Sequence, residues 1–336
     1  PPPSAAVAYE PMWAYWELVL TGTSVLVHST SPTRCSDAVL ALVSLIAPIP
    51  FCGDFRPYFT IHDADFERYA ASAHEPPPAP DGSGRGVILG VTNPYFLKMR
   101  QPWHSLINLD GAAGEGSVIG DMLQSSGALP SDVTVRAGRG RRPPVVQGDS
   151  IVLKQLADLL DASGGPRMER DTTAASSPVS KARVAPDESP QSTATKLGNE
   201  MLRQHFRDLT CKFLRPLEIY GTRGFVPPTV DDWAREGNSS GASSPPGAWM
   251  QTFDRERFLK ELAVVEPPPL PRAIVSRRGD LLKLYEAFLD TPHFHLWWHS
   301  RRSDTMRTID QSYQNARAQP PDAAGAAGGA GAKGGR

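Results

Sequence analysis

A chain of 336 residues, 40% hydrophobic and 21% charged, is long enough for about two domains of ordinary size. Its formal charge of −1 offers no global field to gather nucleic acid or an anionic membrane, so a partner has to be recognised locally. Cys35, Cys52 and Cys211 lie far apart with no CxxC spacing, which argues against a zinc site or a disulfide framework and makes a reduced cytosolic compartment the default.

The 33 Pro and 29 Gly gather in particular stretches, which predicts two folded blocks joined by loose polar connections. No apolar run approaches the ~20 residues of a bilayer span, since Ala38 to Ile49 is interrupted by Ser44 and Pro48. The opening PPPSAAVAYE has no initiator Met and none of the order of a signal peptide, and the chain reads as a fragment of a longer protein.

In chain order, residues 1 to 12 read as an unstructured lead-in. Trp13, Trp16, Val19 and Leu20 recur at helical spacing, and Gly22 turns the chain into a short buried strand at Ser24 to Val27. Ser31 and Pro32 open a helix whose apolar face is Val39, Leu42, Val43 and Ile46, and Pro48 and Pro50 stop it. Two further strands, Tyr58 to Ile61 and Val87 to Val91, each run into a helix, Asp63 to Ala70 and Pro94 to Arg100, with Asp63 and Asn93 as N-caps. Strands apolar on both faces that alternate with capped helices predict a parallel sheet covered on each side.

From Gly111 to Asp149 the sequence turns polar and Gly-rich. Its arginines, Arg136, Arg139, Arg141 and Arg142, fit a solvated loop better than a phosphate site, because no aromatic residues are interleaved with them. Ile151 to Leu160 is again helical, and 161 to 195 reads as a disordered linker or insertion. Leu197, Met201, Leu202, Phe206, Leu209, Phe213 and Leu214 then trace one long amphipathic helix. After a Gly/Ser/Pro-rich break come helices opened by Asp254, Asp280 and Thr291-Pro292, and from residue 313 a Gly/Ala-rich tail.

Chemistry-bearing motifs are sparse. DGSGRG at 81 to 86 lacks the Lys-Ser/Thr ending of a phosphate loop and precedes a strand instead of following one. There is no GxSxG elbow and no HExxH. Cys52 and His62 form a conceivable nucleophile and base without a third orienting group. His295 and His299 share a helical face, but aromatic residues crowd them and no carboxylate is near until Asp304, so they and His293 read as core or surface histidines. The corners His28-Ser29, His62-Asp63 and Thr92-Asn93 fall at the carboxyl ends of strands, the edge where open parallel sheets form a ligand crevice; helix capping also accounts for Asp63 and Asn93.

WELVLTG, SPTRCSDAVLALVSLIAPIPF, DFRPYFTIHDADF and VILGVTNPYF, all between Trp16 and Phe96, resemble the central module of DENN-domain proteins in order and spacing. LRQHFRDLTCKFLRPLE and GDLLKLYEAFLDTPHF resemble the family's downstream module. The resemblance covers roughly residues 13 to 308 and departs at insertions 76 to 86, 161 to 195 and 236 to 248, and in lacking the upstream longin-like module.

It implies a three-layer α/β module at 13 to 160 with helices on both faces of the sheet, the linker at 161 to 195, and an all-α module at 196 to 312. The function implied is guanine-nucleotide exchange on a Rab-family small GTPase in endosomal membrane traffic. The protein would be cytoplasmic and peripheral to endosomes, would need no cofactor, metal, nucleic acid or acid/base catalysis of its own, and would have the longin-like module as a further partner. A scaffold without exchange activity and a stand-alone α/β enzyme are the alternatives. Interface candidates near the motifs are Arg56, Tyr58, His62, Asp63, Asn93 and Tyr95, although the two tyrosines read first as core residues.

Overall fold

The computed structural model describes residues 11–71, 86–98, 105–110, 144–162, 190–223 and 252–318. The arginines between 136 and 142 and most of the insertions and tail lie outside these. The chain divides into two compact units, residues 1–224 with 251–296 and residues 225–250 with 297–336. Every contact described below lies within the first.

Helix α1 (Pro11–Leu20) ends in a Schellman turn: Thr23 N–H donates to the Leu18 carbonyl at 2.8 Å and Gly22 N–H to Val19 at 3.1 Å. Gly22 sits at φ +63°, where a side chain would be strained. Strand β1 (Val25–His28) leads to helix α2 (Pro32–Ser44), capped as its sequence predicts, with Ser31 accepting from Arg34 N–H and Pro32 at the first position. Then follow β2 (Asp54–Phe59), α3 (Phe66–Ala71), β3 (Val87–Val91), α4 (Tyr95–Lys98) and β4 (Ser105–Asn108).

The strands form one parallel sheet in the order β2-β3-β1-β4, with helices on both faces. Among the described residues the sheet therefore has four strands where three were expected; β4 is only SLIN, too short to stand out as a periodic run. Strand β2 begins at Asp54 instead of Tyr58, because charged Asp54 and Arg56 hide an edge strand from an apolar pattern. Its Pro57 is tolerated at the edge, and the pairing with β3 slips between Arg56 and Phe59. Asp63 is not the cap of α3. Its carboxylate instead turns back to accept from Thr60 N–H at 2.6 Å and Thr60 hydroxyl at 2.8 Å, and the helix starts three residues later.

Alternation along the strands divides the core. Leu26, Leu89 and Leu106 are in register, and the first two pack with Val87, Val91 and Phe59 beneath Tyr69 and Phe96. Ring edges meet there, Phe59 with Tyr69 at 5.3 Å and with Phe96 at 5.8 Å. Gly90 belongs to the opposite face, where a Cβ would lie 3.0 Å from Cys35 Sγ and 2.2 Å from the Pro57 carbonyl oxygen. Only glycine permits that approach.

The helical block comprises α5 (Ser150–Ala162), α6 (Pro190–Arg223), α7 (Arg255–Val264), α8 (Arg278–Leu289) and α9 (Pro292–Ala318). Helix α6 starts at 190, inside the stretch read as linker, and α9 continues to 318, past the expected start of the tail. Asp254 caps α7 as expected, accepting from Arg257 N–H. Asp280 does not cap α8: Arg277 occupies that position without a side-chain hydrogen bond, and Asp280 lies in the first turn.

Helix α1 is packed on this block. Trp13 and Trp16 are fully buried. Trp16 Nε1 donates to Thr210 Oγ1 at 2.9 Å and its ring meets Phe213 edge-on at 5.8 Å; Phe213 in turn stacks on Tyr285 at 4.2 Å. Pro216 interrupts the α6 hydrogen-bond ladder one turn on, and the Tyr285 hydroxyl donates to the Phe213 carbonyl there. Glu17 accepts from the N–H groups of Val145 and Val146 at 2.7 and 2.9 Å, which ties the approach to α5 onto α1.

Replacing Thr210 with Val leaves the buried Trp16 indole N–H without its acceptor and lowers stability by about 1–3 kcal/mol in urea denaturation. Thr210→Ser restores most of it. An unchanged midpoint for Thr210→Val would remove this bond from the account of how α1 is held.

Candidate interface at the carboxyl edge of the sheet

The carboxyl ends of the four strands bring together His28, Phe59, Val91 and Asn108. At β1 and β4 this edge is tied shut. His28 Nδ1 donates to Asn108 Oδ1 at 3.2 Å, and Nε2 of this fully buried ring has no hydrogen-bond partner among the described residues. Asp110, two residues past β4, accepts from Ser29 hydroxyl at 3.0 Å, Thr30 N–H at 2.5 Å and Arg34 Nη1 at 3.3 Å. Partial burial pushes the Asp110 carboxyl up, but the Thr30 and Ser29 hydrogen bonds and the Arg34 charge outweigh it and hold the group below its ordinary value. This knot fastens β1, α2 and the end of β4 to one another. Sequence reasoning singled out the His28-Ser29 corner but missed Asp110, because the strand that carries it was itself unrecognised.

At the other side of the edge, side chains face outward. The Thr60–Asp63 turn leaves Ile61 and His62 exposed, with Ile61 41% accessible. Asn93 acts as the expected cap, its Oδ1 accepting from Tyr95 N–H at 2.9 Å. Tyr58 and Tyr95 are 47% and 49% exposed, so neither is a core residue. Tyr95 leans on Phe66 and Phe96 at 6.3 and 6.1 Å, while strand alternation sends Phe59 into the core and Tyr58 away from it. Arg56 is occupied: it pairs with Asp54 at 3.1 Å and Asp65 at 2.8 Å, and Tyr69 hydroxyl donates to the same Asp54. Of the six candidates, Tyr58, His62, Asn93 and Tyr95 present side chains outward, whereas Arg56 and Asp63 brace the loop between β2 and α3.

The Cys52–His62 pair does not exist, since the two residues lie beyond opposite ends of β2. Cys52 donates its backbone N–H to His293 Nδ1 at 2.9 Å instead. That bond makes Nε2 the protonated nitrogen of a neutral, buried His293; Nε2 has no partner among the described residues, and the ring lies tilted against Phe51 at 5.0 Å. His295 and His299 are exposed. Among the described residues no group of three or more His, Cys, Asp or Glu gathers that could hold a metal ion.

Burial depresses the His293 pKa from 6.5 to about 4. Between those values the unfolded chain binds a proton that the folded one refuses, so this contribution is complete above pH 6.5 and fades as pH falls toward 4, by roughly 3 kcal/mol in all. The His293→Asn variant, which keeps an acceptor for Cys52 N–H but cannot titrate, should show a shallower loss of urea midpoint over that window than the wild type. Parallel slopes would assign the acid sensitivity elsewhere.

A family model described as SPA, stabilization of polarity axis, matches residues 4–113, a span that includes the whole sheet. Protein DENND6A of Mus musculus is 32% identical over 315 residues, covering 90% of this chain and 42% of its own length. Protein DENND6A of Gallus gallus is 30% identical over 315 residues, with 90% and 43% covered, and Protein DENND6 homolog of Dictyostelium discoideum is 30% identical over 336 residues, with 91% and 40% covered. The chain thus spans about two fifths of the length of these curated relatives. With similarity at this level running through both the sheet and the helical block, the chain belongs to the DENN-domain family.

Proposed function

We propose that this chain forms part of a guanine-nucleotide exchange factor and offers a Rab-family small GTPase a docking surface around Tyr58, Ile61 and Tyr95, in endosomal membrane traffic. Exchange needs no acid, base or covalent intermediate. The factor binds the nucleotide-free GTPase more tightly than the loaded one, and by linkage nucleotide affinity falls by the same ratio. The observation that carries the reading is the exposure of two aromatic side chains, Tyr58 and Tyr95, at the edge where parallel sheets receive ligands, in a protein whose family regulates GTPases. The reading includes peripheral association with endosomes. No described helix is long and apolar enough to cross a membrane.

A scaffold that binds the GTPase without releasing its nucleotide is the second reading, which the same exposed tyrosines would serve equally well. Release of fluorescent GDP from purified Rab proteins separates the two. Residues 1 to 336 alone should bind nucleotide-free Rab yet accelerate release little, and activity should return when an upstream longin-like module is supplied. Tyr58→Ala with Tyr95→Ala should weaken binding at least ~30-fold, the loss of one hot spot. Undiminished binding by that variant would move the surface elsewhere; no exchange after the module is added would favour the scaffold.

A further inference from the structure

One guanidinium fixes the loop between β2 and α3. Arg56 Nε donates to Asp54 Oδ1 at 3.1 Å and Nη2 to Asp65 Oδ2 at 2.8 Å, which joins the first residue of the edge strand to the residue before the helix. Asp54 also accepts from the hydroxyl of Tyr69, whose buried ring meets Phe59 in the core. Between Arg56 and Asp65 stand Tyr58, Ile61 and His62, all exposed. The other bonds of the loop are local: Asp63 accepts from Thr60, and Phe66 N–H donates to the Asp63 carbonyl at 2.9 Å. Among the described residues, Arg56–Asp65 is the side-chain bond that returns from the loop to the strand.

Arg56, Asp54 and Asp65 keep 35–41% of their side-chain surface in solvent, so the fork adds little to global stability. Its leverage is local, because the strand pairing is irregular between Arg56 and Phe59 and the chain leaves the sheet just after. We propose that Arg56 is the positioning residue of the docking surface: it holds Tyr58, Ile61 and His62 in the outward arrangement that the GTPase receives, and does not itself touch the partner. The proposal rests on the reading of this rim as the GTPase site. An arginine serves here because its planar fork reaches two carboxylates at once. A loop ordered in advance spares association the cost of ordering it, and apparent affinity scales with the fraction of molecules that have it in place.

The test combines amide hydrogen exchange with association and dissociation rates for nucleotide-free Rab proteins, in the whole chain and in its Arg56→Ala and Asp65→Ala variants. Either variant should speed exchange at Phe66 and Tyr69, whose N–H groups donate to the carbonyls of Asp63 and Asp65, and leave Val87–Val91 as they were. Association should slow by roughly fivefold, the upper end of what an exposed pair supplies, with dissociation unchanged. The double variant should be no slower than Arg56→Ala, since both changes remove one bond. Faster dissociation at an unchanged association rate would make Arg56 a contact residue and overturn the proposal, as would unaltered exchange and rates. The docking surface is decided separately: a parent chain that binds no Rab, or Tyr58→Ala with Tyr95→Ala binding undiminished, removes the surface and the proposal with it. Should Arg56→Ala melt below the parent, Asp65→Ala, which leaves Asp54 paired, carries the test.

Discussion

The indole N–H of Trp16, buried and bonded to Thr210, is the interaction on which the arrangement of the larger unit rests. A fully buried indole has to find an acceptor, and here the acceptor belongs to a helix 194 residues away in sequence. Around it Trp13 donates to His205 at 3.1 Å, and Phe213, Tyr285 and Phe288 close an aromatic layer. The helix that leads into β1 is therefore also a core element of the helical block, and the α/β and helical parts named from the sequence share one hydrophobic interior.

That sharing explains what could be read from the amino acids and what could not. Helices announced by local chemistry were legible: Ser31 with Pro32, Asp254, and Thr291 with Pro292 each end a loop through a cap whose hydrogen bonds are formed by near neighbours. So was Val87–Val91, a central strand apolar on both faces. Asp54–Phe59 was not, because an edge strand carries charge along its rim and here answers it with Asp65. Ser105–Asn108 was lost for want of length. Asp63 and Asp280 misled because a carboxylate near a helix start can serve any N–H within reach, and composition does not say which.

The interface candidates follow the same division. Exposure of Tyr58 depends on the slipped pairing after Arg56, and exposure of Tyr95 depends on Asn93 starting a helix that turns Phe96 inward. Neither is visible in periodicity. Arg56 looked free in sequence because its partners, Asp54 and Asp65, are brought to it by the fold. The two edges of the sheet have accordingly diverged. The amino edge buries a neutral histidine against a backbone amide, whereas the carboxyl edge is bolted by Asp110 at β1 and β4 and left open beyond β2.

Pro57 gives that outer strand a further property. An edge strand in a parallel sheet displays a row of backbone donors and acceptors to which a neighbouring molecule's strand can zip, the first step of fibre growth. At Pro57 the pairing slips, and this irregularity breaks the regular spacing of that row. Side chains can therefore meet a partner along this rim while the backbone refuses to be extended, so the protein can expose aromatic residues there without becoming a template for its own aggregation.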